Sequence, residues 1–134
     1  MSQPIKECSW KASIDIRIAH PALDPDSLTE LLEAVPQIAQ KPGESRVPHG
    51  NCQSAGYWCI VKELPDQEKP DVLILWAEDF VATRQQRIRE LIEAGYDVNV
   101  YLGIHSNVMT LGFVLPATPK IWELGIPVGL EFFS

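Results

Sequence analysis

The strongest constraint on the fold is an alternating segment near the N-terminus. Residues 8–18 place an apolar or small side chain at every second position. The apolar set is Cys8, Trp10, Ala12, Ile14, Ile16 and Ile18, and the intervening set is Ser9, Lys11, Ser13, Asp15 and Arg17. Because successive side chains of an extended chain point to opposite faces, this pattern predicts a strand with one face on a core.

Length and composition favour a single soluble domain over residues 1–134. The chain has 134 residues, of which 46% are hydrophobic and 22% are charged, so a core can form without metals or disulfides. The three cysteines have no framework spacing, which is typical of a reducing compartment. No secretory signal or long apolar segment is recognisable, so we expect a cytoplasmic protein.

The formal net charge of −7 limits the classes of partner. An acidic chain attracts neither nucleic-acid backbone nor anionic lipid, so we expect no nucleic-acid or membrane partner. Part of the excess lies at Glu63, Asp66 and Glu68. A basic protein partner is compatible with this charge, but a solvated acidic face that keeps the chain soluble is the favoured explanation.

The next segments predict a helix, a loop and a strand. Asp24 suits a helix N-cap and Pro25 the first helical position, and Leu28, Leu31, Leu32 and Val35 form one helical stripe that ends at Pro36. Three prolines and three glycines make residues 36–56 a long irregular loop, a feature that is often functional. Residues 57–64 predict a strand.

The second half of the chain predicts a long helix and then a strand-rich end. Residues 72–76 alone would suit a buried strand, but one apolar stripe continues from Leu73 to Ile92 and favours a helix over 71–94, with Gly95 as its stop. Residues 98–104 and 109–115 alternate and predict a hairpin. A short helix beginning at Pro119 and a last strand over 126–132 follow.

The predicted order is β-α-β-α-β-β-α-β, which corresponds to the α+β class. We expect a two-layer sandwich with a largely antiparallel sheet and helices on one face. The helix starts at 21–25 and 116–119 are alike in their prolines, which suggests a pseudo-repeat of the two halves.

Several short motifs in this order resemble a known bacterial family. They are Leu23-Asp24-Pro25, Pro36 followed by Lys41-Pro42-Gly43, Tyr57-Trp58, Glu93-Ala94-Gly95-Tyr96, and Leu124-Gly125-Ile126 before Phe132-Phe133. From about Ala12 to Phe133, the chain resembles domain-of-unknown-function family 4279, with a longer insertion over 46–56. The resemblance implies an α+β fold but no established activity, so no site residue follows from it.

The 36–56 loop contains the candidate ligand-binding residues. Arg46, His49, Asn51 and Cys52 could contact a small ligand, and Cys52 could act as a nucleophile with His49 or His105 as its base. An ordinary loop cysteine without a catalytic role is the favoured interpretation of Cys52. No Cys-x-x-Cys or His-x-x-x-His pair occurs, and the nearest spacing, His49-x-x-Cys52, is not specific for a metal, so we expect neither a metal nor a cofactor.

These observations favour a protein-interaction domain without catalysis of its own. Its concrete form is an accessory or immunity-like bacterial protein that presents Glu63, Asp66 and Glu68 to a basic partner. The alternative is a small-ligand-binding or enzymatic domain that uses the 36–56 loop. A homodimer through the edge strand near Phe132 and Phe133 is a third reading, because unpaired strand edges invite pairing.

Overall fold

The described part of the chain forms five strands and four helices. The computed structural model describes residues 10–43, 55–64, 70–106 and 114–133. The elements are β1 (Trp10–His20), α1 (Pro25–Leu32), β2 (Ile38–Gln40), β3 (Gly56–Glu63), α2 (Asp71–Thr83), α3 (Gln85–Glu93), β4 (Asp97–Ser106), α4 (Pro119–Glu123) and β5 (Val128–Phe133). None of the helices within these ranges is long and apolar enough to cross a bilayer.

Strand β1 lies at the centre of a single sheet. The strand order is β2-β3-β1-β4-β5, and β1 is antiparallel to β3 on one side and to β4 on the other. Ala12, Ile14, Ile16 and Ile18 are 0% exposed. The half-buried strand predicted from the alternation is therefore confirmed from Trp10 onward.

The four helices pack on the Ile14 side of the sheet. Each contributes buried apolar side chains to one core with β1, β3 and β4: Leu28 and Leu32 from α1, Leu73, Ile74, Ala77, Phe80 and Val81 from α2, Ile88 and Leu91 from α3, and Ile121 from α4. Full burial of one such side chain stabilises the fold by about 1.5–3 kcal/mol. The α+β class with helices on one face is confirmed.

Helix α1 begins where the sequence predicts. Asp24 occupies the N-cap position in an extended conformation and Pro25 begins the helix. The Asp24 carboxylate accepts a 2.7 Å hydrogen bond from the hydroxyl of Ser27, and this bond lowers the pKa of Asp24. Asp24 therefore belongs to the start of the helix.

The helix predicted over 71–94 is two helices, interrupted at Arg84. The guanidinium of Arg84 donates a 2.6 Å hydrogen bond to the carbonyl of Leu32 and lies 3.9 Å from the centroid of the Phe80 ring. Arg87 donates to the carbonyl of Leu31 at 3.1 Å. Both arginines thus bind the carbonyl end of α1, which lacks intrahelical donors and carries the negative end of the helix dipole.

The structure differs from the sequence predictions in one loop and in one strand pairing. Three residues of the predicted 36–56 loop form β2, which pairs with β3. Residues 109–113 of the predicted hairpin lie outside the described residues, and the edge of β4 opposite β1 is taken by β5. Strands β4 and β5 are parallel whereas β1 and β3 are antiparallel, so the pseudo-repeat is not confirmed.

The start of α4 is fixed by a side chain from α2. Thr118 holds the N-cap position but makes no side-chain cap bond. Instead, the carboxylate of Glu78 accepts hydrogen bonds from the backbone N–H of Lys120 at 2.6 Å and of Ile121 at 2.9 Å. Because α4 leads directly into β5, this contact also fixes the approach of the last strand.

We expect Glu78→Ala to lower the free energy of unfolding by about 1–3 kcal/mol, because two helix N–H groups lose a charged acceptor. Urea denaturation followed by circular dichroism would measure this loss. The matched control is Asp79→Ala, which removes the exposed neighbouring carboxylate and should change stability by no more than about 0.5 kcal/mol. Equal losses in the two variants would contradict the capping role.

Candidate functional site

The sheet face opposite the helices carries the polar residues of β1. The registers of β1, β3, β4 and β5 place the following residues on this face: Lys11, Ser13, Asp15, Arg17 and Ala19 of β1, Tyr57, Cys59, Val61 and Glu63 of β3, Asp97, Asn99, Tyr101, Gly103 and His105 of β4, and Gly129, Glu131 and Phe133 of β5. We call this surface the polar sheet face. No helix within the described ranges covers it, and most of its side chains are partly or fully exposed.

Arg17 connects three strands at the centre of the polar sheet face. Its guanidinium donates to the carboxylate of Asp15 at 2.6 Å and to that of Glu131 at 3.1 Å. The same group lies 4.0 Å from the centroid of the Tyr101 ring, a cation–π distance. One cation therefore links β1 to the side chains of both β4 and β5.

Two opposing effects act on the pKa of Arg17. Partial burial by itself would lower the pKa of Arg17, but the hydrogen bond and negative charge of Asp15 outweigh that cost and raise it. The side chains of Arg17 and Asp15 are only 29% and 21% exposed. The pair is thus partly withdrawn from water. Solvent and salt screen such a pair less than they screen a fully exposed one.

Two glycines make room for the aromatic rings of this face. A Cβ atom on Gly129 would lie 2.6 Å from ring carbons of Tyr101, and one on Gly103 would lie 3.0 Å from the hydroxyl oxygen of Ser13. The absence of side chains there lets Tyr101 lie over β5 and reach Arg17. Next to Gly103, the rings of His105 and Phe133 stack with centroids 4.5 Å apart.

Tyr57 and Cys59 are neighbours on the β3 part of the polar sheet face. Burial raises the pKa of the Tyr57 phenol, and the adjacent Cys59 raises it further. Burial also raises the pKa of the Cys59 thiol, which is only 1% exposed. Both groups therefore remain protonated at neutral pH, and Cys59 lacks the thiolate that a nucleophile needs.

Glu63 is described by the structure, whereas the other residues predicted for ligand or protein binding are not. Arg46, His49, Asn51, Cys52, Asp66 and Glu68 lie outside the described residues. Glu63 is exposed at the end of β3, and its carboxylate lies 3.9 Å from the Lys11 amine. Within the described ranges, no group of three or more His, Cys, Asp or Glu side chains is arranged to hold a metal ion.

Arg17 and its contacts Asp15, Tyr101 and Glu131, here called the Arg17 cluster, were missed by sequence reasoning that looked for sites in loops. A signal for it existed, because Asp15 and Arg17 are charged residues of opposite sign on the non-core face of a central strand. Cross-strand neighbours on one face interact directly. What the sequence does not reveal is that Tyr101 and Glu131 are the neighbours, since this depends on the strand order.

A small cleft lies between the end of α3 and the turn that enters β5. It has a volume of about 170 Å³ and is lined by Ile92, Tyr96, Asp97, Val98, Asn99, Gly125, Ile126 and Pro127. Pockets for drug-sized ligands usually occupy roughly 300–1,000 Å³. The cleft is therefore a weaker candidate site than the polar sheet face.

No family model, curated protein or solved structure matches this chain. The resemblance to family 4279 remains a prediction, and function has to be inferred from geometry.

We expect Arg17→Met to lower the free energy of unfolding by about 1–3 kcal/mol, because two partly buried carboxylates lose their shared donor. Lys11→Met is the matched control on the same strand, since Lys11 forms only an exposed 3.9 Å contact with Glu63 and such pairs contribute about 0–1 kcal/mol. Urea denaturation of both variants at neutral pH would measure the difference. A loss for Arg17→Met no larger than that for Lys11→Met would refute the central role of this residue.

We expect the Cys59 thiol to be unreactive in the native protein. In a Cys8→Ser, Cys52→Ser variant, Ellman's reagent should react only at the rate of unfolding. Because burial raises the pKa of this thiol in the folded chain above its pKa in the unfolded chain, the stability contributed by the neutral thiol is complete below the unfolded pKa and declines as the pH rises toward the folded pKa. Urea denaturation from neutral pH to about pH 10 should show this decline, and Cys59→Ala should weaken it. Rapid reaction of the native thiol would show that the group is not buried.

Proposed function

We propose that this chain is a protein-interaction domain without catalysis of its own, an accessory or immunity-like bacterial protein that binds a basic protein through the polar sheet face. The observation that carries the proposal is the placement of Arg17, Tyr57 and Tyr101, all partly exposed, on a sheet face that no described helix covers.

The residue types of this surface support a protein partner. Tyrosine and arginine are enriched among the residues that dominate binding energy at protein interfaces. Arg17 is already held by Asp15 and Glu131, and Tyr101 is held between Arg17 and Gly129. Side chains fixed before binding lose less conformational entropy when a partner docks.

The charge of the polar sheet face supports a basic partner. Its carboxylates are Asp15, Glu63, Asp97 and Glu131, and its permanently cationic groups are Lys11 and Arg17. Arg17 offsets one of the two charges of Asp15 and Glu131, and the Lys11 amine lies 3.9 Å from the Glu63 carboxylate. The four carboxylates and two cations therefore leave a net charge of −2 on these residues, and the exposed Asp97 contributes to it. The field of this negative charge increases the association rate of a cationic protein and selects against acidic ones.

The described residues give less support to an enzymatic function. The described cysteine, Cys59, has a thiol whose pKa is raised by burial. The alternative that uses Arg46, His49, Asn51 and Cys52 for a small ligand rests on residues outside the described ranges, and it stays a prediction.

The test has two steps. The immobilised chain is used to recover partners from an extract of its own host at physiological salt, and the captured protein is then purified. Titration calorimetry compares its affinity for the wild type and for Glu63→Lys plus Asp97→Lys. We expect a basic partner whose affinity falls about tenfold or more in the variant and also falls with added salt.

The matched control reverses two exposed carboxylates in the helix layer, Asp26→Lys plus Glu90→Lys. This variant has the same net charge as the test variant but leaves the polar sheet face unchanged. An equal loss of affinity in both variants would show that binding depends only on net charge. A captured partner whose affinity changes in neither variant would overturn the proposal.

A further inference from the structure

Strand β5 is an edge strand with unusually exposed apolar side chains. No strand in the described part of the chain pairs with its outer edge. Val128, Leu130 and Phe132 point to the helix side, where the registered partners Val100, Leu102 and Ile104 are buried, yet they are 44%, 53% and 67% exposed. A row of exposed apolar side chains on a sheet edge is a template for pairing with another chain.

The backbone groups of the same three residues point outward. The N–H of Val100 donates to the carbonyl of Pro127 at 3.0 Å, and Val100 is registered with Val128 in a parallel pair. In a parallel ladder, this geometry directs the backbone groups of Gly129, Glu131 and Phe133 toward β4. The N–H and C=O groups of Val128, Leu130 and Phe132 are therefore those available at the outer edge.

We propose that β5 pairs antiparallel with β5 of a second copy of this chain, with the two-fold axis at Leu130. In this register Leu130 faces Leu130 of the second copy, and Val128 faces Phe132. All three are residues with outward backbone groups, so each faces a residue with which it can form the closely paired hydrogen bonds of an antiparallel ladder. Their exposed side chains then contact one another on the helix side.

The charges on β5 fit the same register. Glu131 is the charged residue of this strand, and it would face Gly129 of the second copy rather than a second carboxylate. Like charges directly opposite each other destabilise a strand pair, so this register avoids the one electrostatic penalty that a neighbouring alignment would incur. An alignment centred on Glu131 would place the two carboxylates together.

The opposite edge of the sheet differs and favours a closed dimer. Strand β2 has three residues and is flanked by Pro36, Lys41 and Pro42. Short length, proline and lysine are the features that protect strand edges from pairing. Association through β5 alone is a two-fold interface that ends at two copies instead of growing into a filament.

The test is the mass of the full chain by light scattering during size-exclusion chromatography. The wild type should have a measured mass of twice the chain mass of 15.0 kDa. Leu130→Lys should elute at the chain mass, because two lysines would face each other on the two-fold axis. The matched control is Leu75→Lys, at a residue of α2 that is 52% exposed, and it should remain dimeric.

A charge-swap experiment separates loss of pairing from loss of folding. Leu130→Lys and Leu130→Glu should each be monomeric with native circular dichroism, and an equimolar mixture should recover the dimer because opposite charges then meet. A monomeric wild type would overturn the proposal, as would a dimer that survives Leu130→Lys. Failure of the mixture to reassociate would exclude pairing centred on Leu130.

Discussion

The separation of β1 into an apolar and a polar face is the constraint on which the rest of the structure depends. Strand β1 is hydrogen-bonded on both sides along most of its length, so its registers decide which residues of β3 and β4 meet the helices. A slip by one residue would place Asp15 and Arg17 under the helix layer and Ile14 and Ile16 in water. The cost of burying those charges fixes the register.

The two faces are stabilised by different physics. On the helix side, branched apolar residues pack without polar atoms except at points such as the indole N–H of Trp58, which donates to the Thr29 hydroxyl at 3.2 Å. On the other side, Arg17 links strands that are far apart in sequence, including Glu131 at a separation of 114 residues. The network holds β5 to the sheet through side chains as well as through its backbone ladder.

Periodicity predicts the parts of the fold in which local pattern and tertiary environment agree. Strand β1 follows from its alternation, the start of α1 from Asp24 and Pro25, and the end of the α3 helix from Gly95, which has φ +91°. The break at Arg84 could not be predicted, because it depends on carbonyl groups of α1 that are distant in sequence. Strand β2 is too short to give a pattern, and the parallel pairing of β5 requires knowledge of the strand order.

The candidate site shows the same division. The polarity of Asp15 and Arg17 is visible in the sequence, but the partners Tyr101 and Glu131 are supplied by β4 and β5 through the topology. Gly129 likewise has an unremarkable sequence context, and only the position of the Tyr101 ring explains why a side chain is excluded there. Sequence reasoning directed at loops therefore overlooked a cluster assembled by strand pairing.

The binding of Arg84 and Arg87 to the end of α1 has a consequence for how the domain opens. The carbonyl groups of Leu31 and Leu32 accept hydrogen bonds from the junction of α2 and α3, so detaching either segment would break these charge-assisted bonds. These bonds disfavour fluctuations that release α1 alone, so we expect α1, α2 and α3 to open together in native-state hydrogen exchange. The helix break at Arg84 thus couples the end of α1 to the junction of α2 and α3.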